Sequence, residues 1–293
     1  MPVLIAYILV VLIWGTTPLA IVWSNGSGHF MAAVLSRMLL ALVVALVINA
    51  LLGRRLFDRP GAVWVYLFAS LGIFPNMPLV YYSAQFIPSG LIAVIFALSP
   101  FVTGVLSAFI LKDNPFNRQR LCALVLAVLG LGVIFRSQLA LDEGAAIGIA
   151  GILGSCVLFS TSSVLLKAQR TSVDAFNQTT GSLLFAMPGL LAFWWLADAP
   201  MPALPTQAVA AIVYLALCGS LLGFTLFFFV LSRLSPSVVS LITLITPILA
   251  LSSGALLAGE RLSTEALIGT ALVFCALVLY LDLLPFRRHP KHR

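Results

Sequence analysis

The sequence is divided into long apolar runs that are separated by short polar connections. Each run spans about 18 to 25 residues, which matches the roughly 30 Å hydrocarbon core of a membrane at 1.5 Å per residue. We count ten such runs and predict that each is a membrane-spanning helix. The predicted spans are 3–23, 30–52, 62–84, 89–111, 119–136, 145–167, 175–197, 206–231, 237–258 and 265–284.

The connections between the predicted spans are too short for a folded domain outside the membrane. "SNGSGH" follows the first span, "QFIPS" the third and "SRLSP" the eighth. Composition agrees, because 61% of the residues are hydrophobic and only 9% are charged, whereas soluble proteins carry roughly 25% charged residues. We therefore predict an all-α polytopic membrane protein that has no soluble catalytic or nucleic-acid-binding module.

Basic residues are distributed unequally between the two sides of the predicted bundle. One side is formed by the odd-numbered connections and holds only Arg136 and Arg261. The other side is formed by the N-terminus, the even-numbered connections and the C-terminal tail. It holds Arg54, Arg55, Arg59, Lys112, Arg118, Arg120, Lys167, Arg170, Arg233, Arg287, Arg288, Lys291 and Arg293. By the positive-inside rule, this asymmetry predicts that both termini are cytoplasmic.

The two halves of the chain resemble each other at an offset of 147 positions. Pro100 aligns with Pro247, and Asp113 aligns with Glu260. We therefore predict two units of five helices, residues 1–143 and residues 144–293, the second of which carries a short basic cytoplasmic tail. Because five is odd, the two units must have opposite orientations in the membrane.

The paired prolines bear on function because inverted repeats are common in secondary transporters. In such proteins the substrate site lies near the bilayer midplane, and interrupted spans at matching positions indicate it. We expect Pro100 and Pro247 to act as gating or hinge positions. Each removes the helical donor of the carbonyl four residues earlier, at Phe96 and Thr243. The alternative is that both prolines only bend their helices for packing.

Polar and aromatic side chains within the spans are the candidate substrate contacts, because each needs a partner or a cavity. Serine and threonine in membrane helices more often serve helix packing, so a single one indicates little. We expect the contacts to come from a set of thirteen: Trp14, Thr17, Asn76, Tyr81, Tyr82, Phe96, Ser99, Thr103, Phe159, Ser162, Ser163, Ser240 and Thr243.

Arg37 is the one charge well inside a predicted span, about seven residues from the outer end and therefore roughly 10 Å deep. One hypothesis is that Arg37 attracts the carboxylate of a substrate. The interpretation that we favour here is structural: the side chain binds backbone carbonyls or span ends, and the interface is within its partial reach. Asp113 and Glu260, at span ends, are grouped with Arg37 as structural charges.

The predicted spans lack the residues that several other functional classes require. No aspartate, glutamate or histidine lies deep in a span, which disfavours a buried proton relay and an intramembrane enzyme. The cysteines at 122, 156, 218 and 275 show no paired spacing, so we expect neither a disulfide nor a metal site. We expect no cofactor. A channel stays a remote alternative, as does an intramembrane enzyme.

Three features resemble the drug/metabolite transporter superfamily, and within it the EamA-type carriers of ten spans. They are "LIWGTTP" in the first span, "LSRMLLALV" around Arg37, and a proline followed thirteen positions later by Asp113 or Glu260. Asp113 departs from the pattern, because the family usually has glutamate there. The resemblance implies a basket-like bundle in the bacterial inner membrane with both termini cytoplasmic, and export of small metabolites, amino acids included.

Together these observations predict a secondary transporter that works by alternating access. Its expected partners are the lipid bilayer and a small-molecule substrate, and we expect no nucleic acid. We expect neutral or zwitterionic substrates, with aromatic or other large neutral amino acids favoured, moved by facilitated diffusion. Within the family, the candidate aromatic contacts Trp14, Tyr81, Tyr82 and Phe159 suggest the branch of aromatic amino acid exporters, because they could accept a flat apolar side chain. The alternative is a proton-coupled exporter of other metabolites or drugs. The sequence carries no signal for oligomeric state.

Overall fold

The computed structural model of the protein describes residues 2–112, 117–139, 144–169, 173–200, 205–234 and 236–281, and every regular element within these ranges is a helix. A π-helical segment spans Leu215–Leu222. The α-helices are α1 (Val3–Asn25), α2 (Phe30–Leu51), α3 (Ala62–Ser70), α4 (Asn76–Ser83), α5 (Ser89–Phe96), α6 (Ser99–Ile110), α7 (Arg118–Leu139), α8 (Ala145–Ala168), α9 (Ala175–Leu196), α10 (Thr206–Tyr214), α11 (Gly223–Leu231), α12 (Pro236–Ala258) and α13 (Thr264–Tyr280).

Helix lengths and composition confirm an all-helical polytopic membrane protein. Two shorter apolar helices, Ile245–Ala258 and Thr264–Tyr280, accompany the longer ones. Within the described residues, the segments long and apolar enough to cross a membrane number seven: Val3–Asn25, Phe30–Leu51, Ser89–Ile110, Arg118–Ser137, Ala145–Ala168, Ala175–Leu196 and Thr206–Leu231. The count of ten spans in two inverted repeats stays a prediction.

Three of the predicted spans are irregular in their middle. The third consists of two short helices, α3 and α4, and the eighth contains the π-helical segment between α10 and α11. The fourth is divided at Ala97 and Leu98 into α5 and α6, and Pro100 lies in the first turn of α6, the position at which a helix tolerates proline best. By contrast, α12 continues without interruption through Pro247. The two prolines therefore have different local structures, although their sequence positions match.

Small residues allow the central helices to approach closely. A Cβ added to Gly15 of α1 would lie 2.6 Å from Cβ of Leu249 in α12, and one added to Gly90 of α5 would lie 2.6 Å from Cδ2 of Leu251. Such contacts are typical of membrane bundles, where close packing rather than water exclusion holds helices together. Consequently α1, α5 and α12 meet at the centre of the protein.

Candidate functional site

A cavity of about 400 Å³ lies at the centre of the bundle. This volume falls within the range of roughly 300–1,000 Å³ that is usual for small-molecule sites. Side chains from α1, α6, α8, α11 and α12 form its wall, so both halves of the chain contribute. It includes seven of the predicted residues: Trp14, Ser99, Pro100, Thr103, Phe159, Ser163 and Thr243.

A second, smaller chamber of about 110 Å³ adjoins this cavity. Trp14, Phe159, Ile242 and Thr243 line both spaces and form the partition between them. The smaller chamber adds Thr17 and Phe96 from the predicted set, together with Arg37, Gly219 and Phe224. A rearrangement of the partition would join the two spaces.

Aromatic rings form the partition and its surroundings. The ring of Trp14 lies 4.8 Å from that of Phe227 and 6.1 Å from that of Phe159, measured between centroids. The ring of Phe96 lies 5.3 Å from that of Phe159. These tilted and edge-on arrangements are the stable ones for aromatic pairs. Ring faces of this kind also attract organic cations.

The hydroxyl groups beside these rings are oriented by their own helices. Thr17 donates its hydroxyl hydrogen to the carbonyl of Ile13 at 2.8 Å, and Ser163 donates to the carbonyl of Phe159 at 2.9 Å. Each oxygen keeps its lone pairs as acceptors, because the hydrogen is already committed. The wall therefore combines aromatic surface with hydrogen-bond acceptors.

The larger cavity extends to one end of the helices. Leu111 follows α6, Lys167 lies in the last turn of α8, Arg120 lies in the first turn of α7, and all three line the cavity. Basic side chains at a cavity mouth raise the local concentration of anionic groups. The electrostatics at this end favour the approach of a molecule that carries a negative group.

The opposite end of α5 is held by Glu260, which follows the last residues of α12. Its carboxylate accepts hydrogen bonds from the backbone N–H groups of Ser89 at 3.0 Å and Gly90 at 3.3 Å. Gly259, with φ of +64°, adopts the left-handed conformation that lets the chain turn back there. A carboxylate at a helix N-terminus stabilises it by accepting otherwise unpaired donors and by opposing the helix dipole.

Arg37 differs from the expectation that it reaches partly toward the interface and binds backbone carbonyls. Its side chain is 1% exposed and points into the bundle, where Nε donates to Ser220 Oγ at 2.8 Å and Nη1 donates to the hydroxyl of Tyr81 at 3.3 Å. The expected partners were wrong, because α4 and the π-helical segment supply hydroxyl groups that the local sequence does not reveal. The structural role of the charge stays a prediction.

Three predicted contacts lie outside both cavities because they have other partners. Asn76 is buried and donates to the carbonyl of Gly72, while it accepts from Ser155 at 2.5 Å. Ser162 donates to the carbonyl of Phe68 at 2.8 Å. Tyr82 is 37% exposed and its ring lies 5.1 Å from that of Phe86. Asn76 and Ser162 thus join neighbouring helices, and Tyr82 lies at the surface of the protein.

Two further predicted residues that do not line a cavity are Tyr81 and Pro247, and two more lie beyond what the structure describes. Tyr81 is fully buried, lines neither cavity, and accepts a hydrogen bond from Arg37, which lines the small chamber. Pro247 is buried in α12 and lines neither cavity. Asp113 lies outside the described residues, as does the side chain of Ser240. In the parts of the chain that the structure describes, no group of three or more His, Cys, Asp and Glu side chains is placed to hold a metal ion.

Sequence reasoning missed several lining residues, among them Pro18, Gly219, Phe224 and Phe227. A signal for Pro18 was present, because it follows Trp14 by four positions, as Pro100 follows Phe96. For the phenylalanines of α11 there was no local signal, since almost every residue of that helix is apolar.

The apolar helices, the internal cavity and the cap at one end together define a polytopic membrane protein of the transporter class. The EamA-like transporter family matches residues 1–136 and, separately, residues 146–281. The protein belongs to this family, which confirms the resemblance to the drug/metabolite transporter superfamily.

Known proteins similar to the chain agree with this assignment. Protein PecM of Dickeya dadantii is 27% identical over 285 residues, which covers 95% of this chain and 92% of that protein. A probable amino-acid metabolite efflux pump of Salmonella typhimurium is 24% identical over 213 residues, covering 68% and 69% of the two chains. One solved structure shares the fold with a TM-score of 0.63 at 17% identity, over 95% of this chain and 96% of that chain.

Proposed function

We propose that the protein is a secondary transporter that exports small neutral or zwitterionic metabolites, above all amino acids, by alternating access. The observation that carries this proposal is the central cavity, which extends to the end of the bundle marked by Lys167 while Glu260 holds the other end of α5. Alternating access requires a midplane site that communicates with one side at a time. This arrangement supports such a cycle.

The lining favours aromatic or other large neutral amino acids. Trp14, Phe159 and Phe227 offer flat apolar surface, and the hydroxyls of Thr17 and Ser163 offer acceptors for an ammonium group. The relative from Salmonella typhimurium, which is named a probable amino-acid metabolite efflux pump, gives the same substrate class additional support.

The proposed architecture is ten spans in two inverted units, residues 1–143 and residues 144–293, in the bacterial inner membrane with both termini cytoplasmic. Two separate matches to the family support the division. Irregular structure in the third and eighth spans, at corresponding positions, supports it further. Reporter fusions test the orientation: a terminus, or the connection at Arg54, in the periplasm would contradict it.

We further propose facilitated diffusion without a proton relay, and transport rather than catalysis. Among the described helices, the sequence contains one acidic residue, Glu265, in the first turn of α13, and no histidine. Proton-coupled carriers usually keep such a group at depth.

The test is a competition screen of the purified protein in proteoliposomes against the twenty amino acids and a panel of cationic drugs. We expect saturable flux of aromatic or large neutral amino acids that the drugs do not inhibit. Transport of the drugs with no amino acid flux would contradict the proposed substrate class and favour the drug-export alternative.

A further inference from the structure

Arg37 is a buried cation that has no carboxylate partner among the residues that the structure describes. The ion pair that the described residues do form joins Arg54 to Asp174, whose side chains are both partly exposed. It does not involve Arg37. An arginine cannot lose its charge at physiological pH, and an uncompensated charge inside a membrane protein is costly and usually functional. The position therefore calls for an anionic partner.

Two of the three guanidinium nitrogens are already positioned by hydroxyl groups. Nε donates to Ser220 and Nη1 donates to Tyr81, while Nη2 donates to no described residue. Nη2 lies against the backbone of Gly219, where an added Cβ would come within 3.2 Å of it. Arg37 and Gly219 both line the small chamber, so the guanidinium group lies beside it.

The π-helical segment is part of this arrangement. Gly219 and Ser220 lie within it, and π-helical turns are frequent at functional sites. Ser220 holds the guanidinium, and Gly219 leaves room beside it because it has no side chain. The segment thus fixes the direction of Arg37 without neutralising its charge.

The rest of the chamber suits the other groups of an amino acid. Pro18 and Pro100 lack an N–H, so the carbonyls of Trp14 and Phe96 lose their usual helical donor. Trp14 and Phe96 both line the chamber. Carbonyl oxygens and aromatic faces are suitable partners for an ammonium group. Beyond Trp14, the larger cavity offers space for an apolar side chain.

We infer that Arg37 binds the carboxylate of the transported substrate, so that the protein selects carboxylate-bearing metabolites over their neutral derivatives. An α-amino acid places its carboxylate at Arg37 in the small chamber and its side chain toward the larger cavity. This inference rests on the proposed transport function and names the group that the site recognises. Tyr81 and Ser220 are positioning residues that act through Arg37.

The experiment compares L-phenylalanine with L-phenylalaninamide, which lacks the carboxylate, as competitors for flux in proteoliposomes. A charged hydrogen-bond partner discriminates by about 10- to 100-fold, so we expect the wild type to prefer the acid by at least about tenfold. Arg37→Gln should reduce this preference to within about threefold. Arg136→Gln, an exposed arginine in the last turn of α7, is the matched control and should leave it unchanged.

Ser220→Ala and Tyr81→Phe keep the charge but remove its positioning groups, and they keep the proposal testable if Arg37→Gln does not fold. We expect each to lower the preference for the acid by several-fold. An equal loss of affinity for acid and amide in Arg37→Gln would show a structural role only and overturn the inference. If Arg37→Gln does not fold, the two hydroxyl variants decide the question. An unchanged preference for the acid in both of them would then overturn the inference.

A second pair of competitors, benzoate and benzamide, in a binding assay on the purified protein separates the two proposals. Arg37-dependent preference for benzoate without transport of any amino acid would contradict amino acid export and support the carboxylate anchor. Amino acid transport with equal affinity for phenylalanine and its amide would support export and contradict the anchor.

Discussion

Glu260 Oε1 accepts a hydrogen bond from the backbone N–H of Ser89 at 3.0 Å, across 171 positions of sequence. The contact joins the end of α12 to the start of α5 and therefore links the two predicted repeats. Leu111, at the other end of the same predicted span, lines the cavity mouth. The helices are thus linked by a hydrogen bond at the Ser89 end of α5–α6, whereas the cavity opens at the Leu111 end.

Glu260→Gln should destabilise this end of the protein. Glutamine keeps the shape but loses the charge that favours the α5 N-terminus, and a helix cap contributes about 1 kcal/mol. We expect the melting temperature in detergent to fall by roughly 2–4 °C. Glu265→Gln, an exposed acid in the first turn of α13, is the control. An equal fall in both variants would contradict a specific role for Glu260.

Gly254→Ala should displace the same carboxylate by steric pressure. A Cβ at this position would lie 2.4 Å from Glu260 Oε2 and 3.0 Å from Ser89 Oγ. We expect a lower melting temperature and slower uptake. Gly132→Ala is the control, because nothing lies within 4 Å of a Cβ added there. Similar behaviour of the two variants would show that the contact between Glu260 and α5 does not matter to the protein.

Trp14→Ala and Phe159→Ala should each reduce uptake by about fivefold or more, since the truncation of a buried aromatic anchor typically costs over about 1 kcal/mol of binding. Both residues lie in the partition between the two cavities. Tyr82→Ala removes a ring of similar size that lies outside them, and it should transport at close to the wild-type rate. Initial uptake rates in proteoliposomes at matched protein levels distinguish these cases. A larger defect in Tyr82→Ala than in Trp14→Ala would place the substrate elsewhere.

Pro100→Ala should slow transport more than Pro247→Ala. Alanine at position 100 supplies an N–H to the carbonyl of Phe96 and extends α6 into the break at Ala97. Since Pro247 lies inside a continuous helix and lines neither cavity, its replacement should have the smaller effect. Pro188→Ala, in the interior of α9, controls for the loss of a membrane proline. Wild-type flux in Pro100→Ala would leave this proline as a packing feature only.

Transport should follow the substrate gradient and should not be driven by a proton gradient. The described helices place no acidic or imidazole group at depth that could carry a proton. We expect no substrate accumulation when only a pH difference is imposed across proteoliposomes. Acidification that accompanies substrate flux, measured with a pH-sensitive dye inside the vesicles, would instead indicate proton coupling.

Sequence alone determined the class of the protein and much of its local structure. Apolar runs of membrane length require helices, because no water is present to satisfy the backbone. The same runs contained Trp14, Phe159 and Thr243, which do line the cavities. The motif with Arg37 indicated the family, and the family matches both halves of the chain.

The tertiary structure alone decided which polar side chains face a cavity. Asn76 and Trp14 are equally plausible contacts in sequence, yet Asn76 is bound by Ser155 of α8, whereas Trp14 lies at the partition. Arg37 likewise depends on Ser220, which is distant in the chain. The physical reason is that a helix fixes where a side chain projects, but only the neighbouring helix determines whether it meets a hydrogen-bond partner or open space.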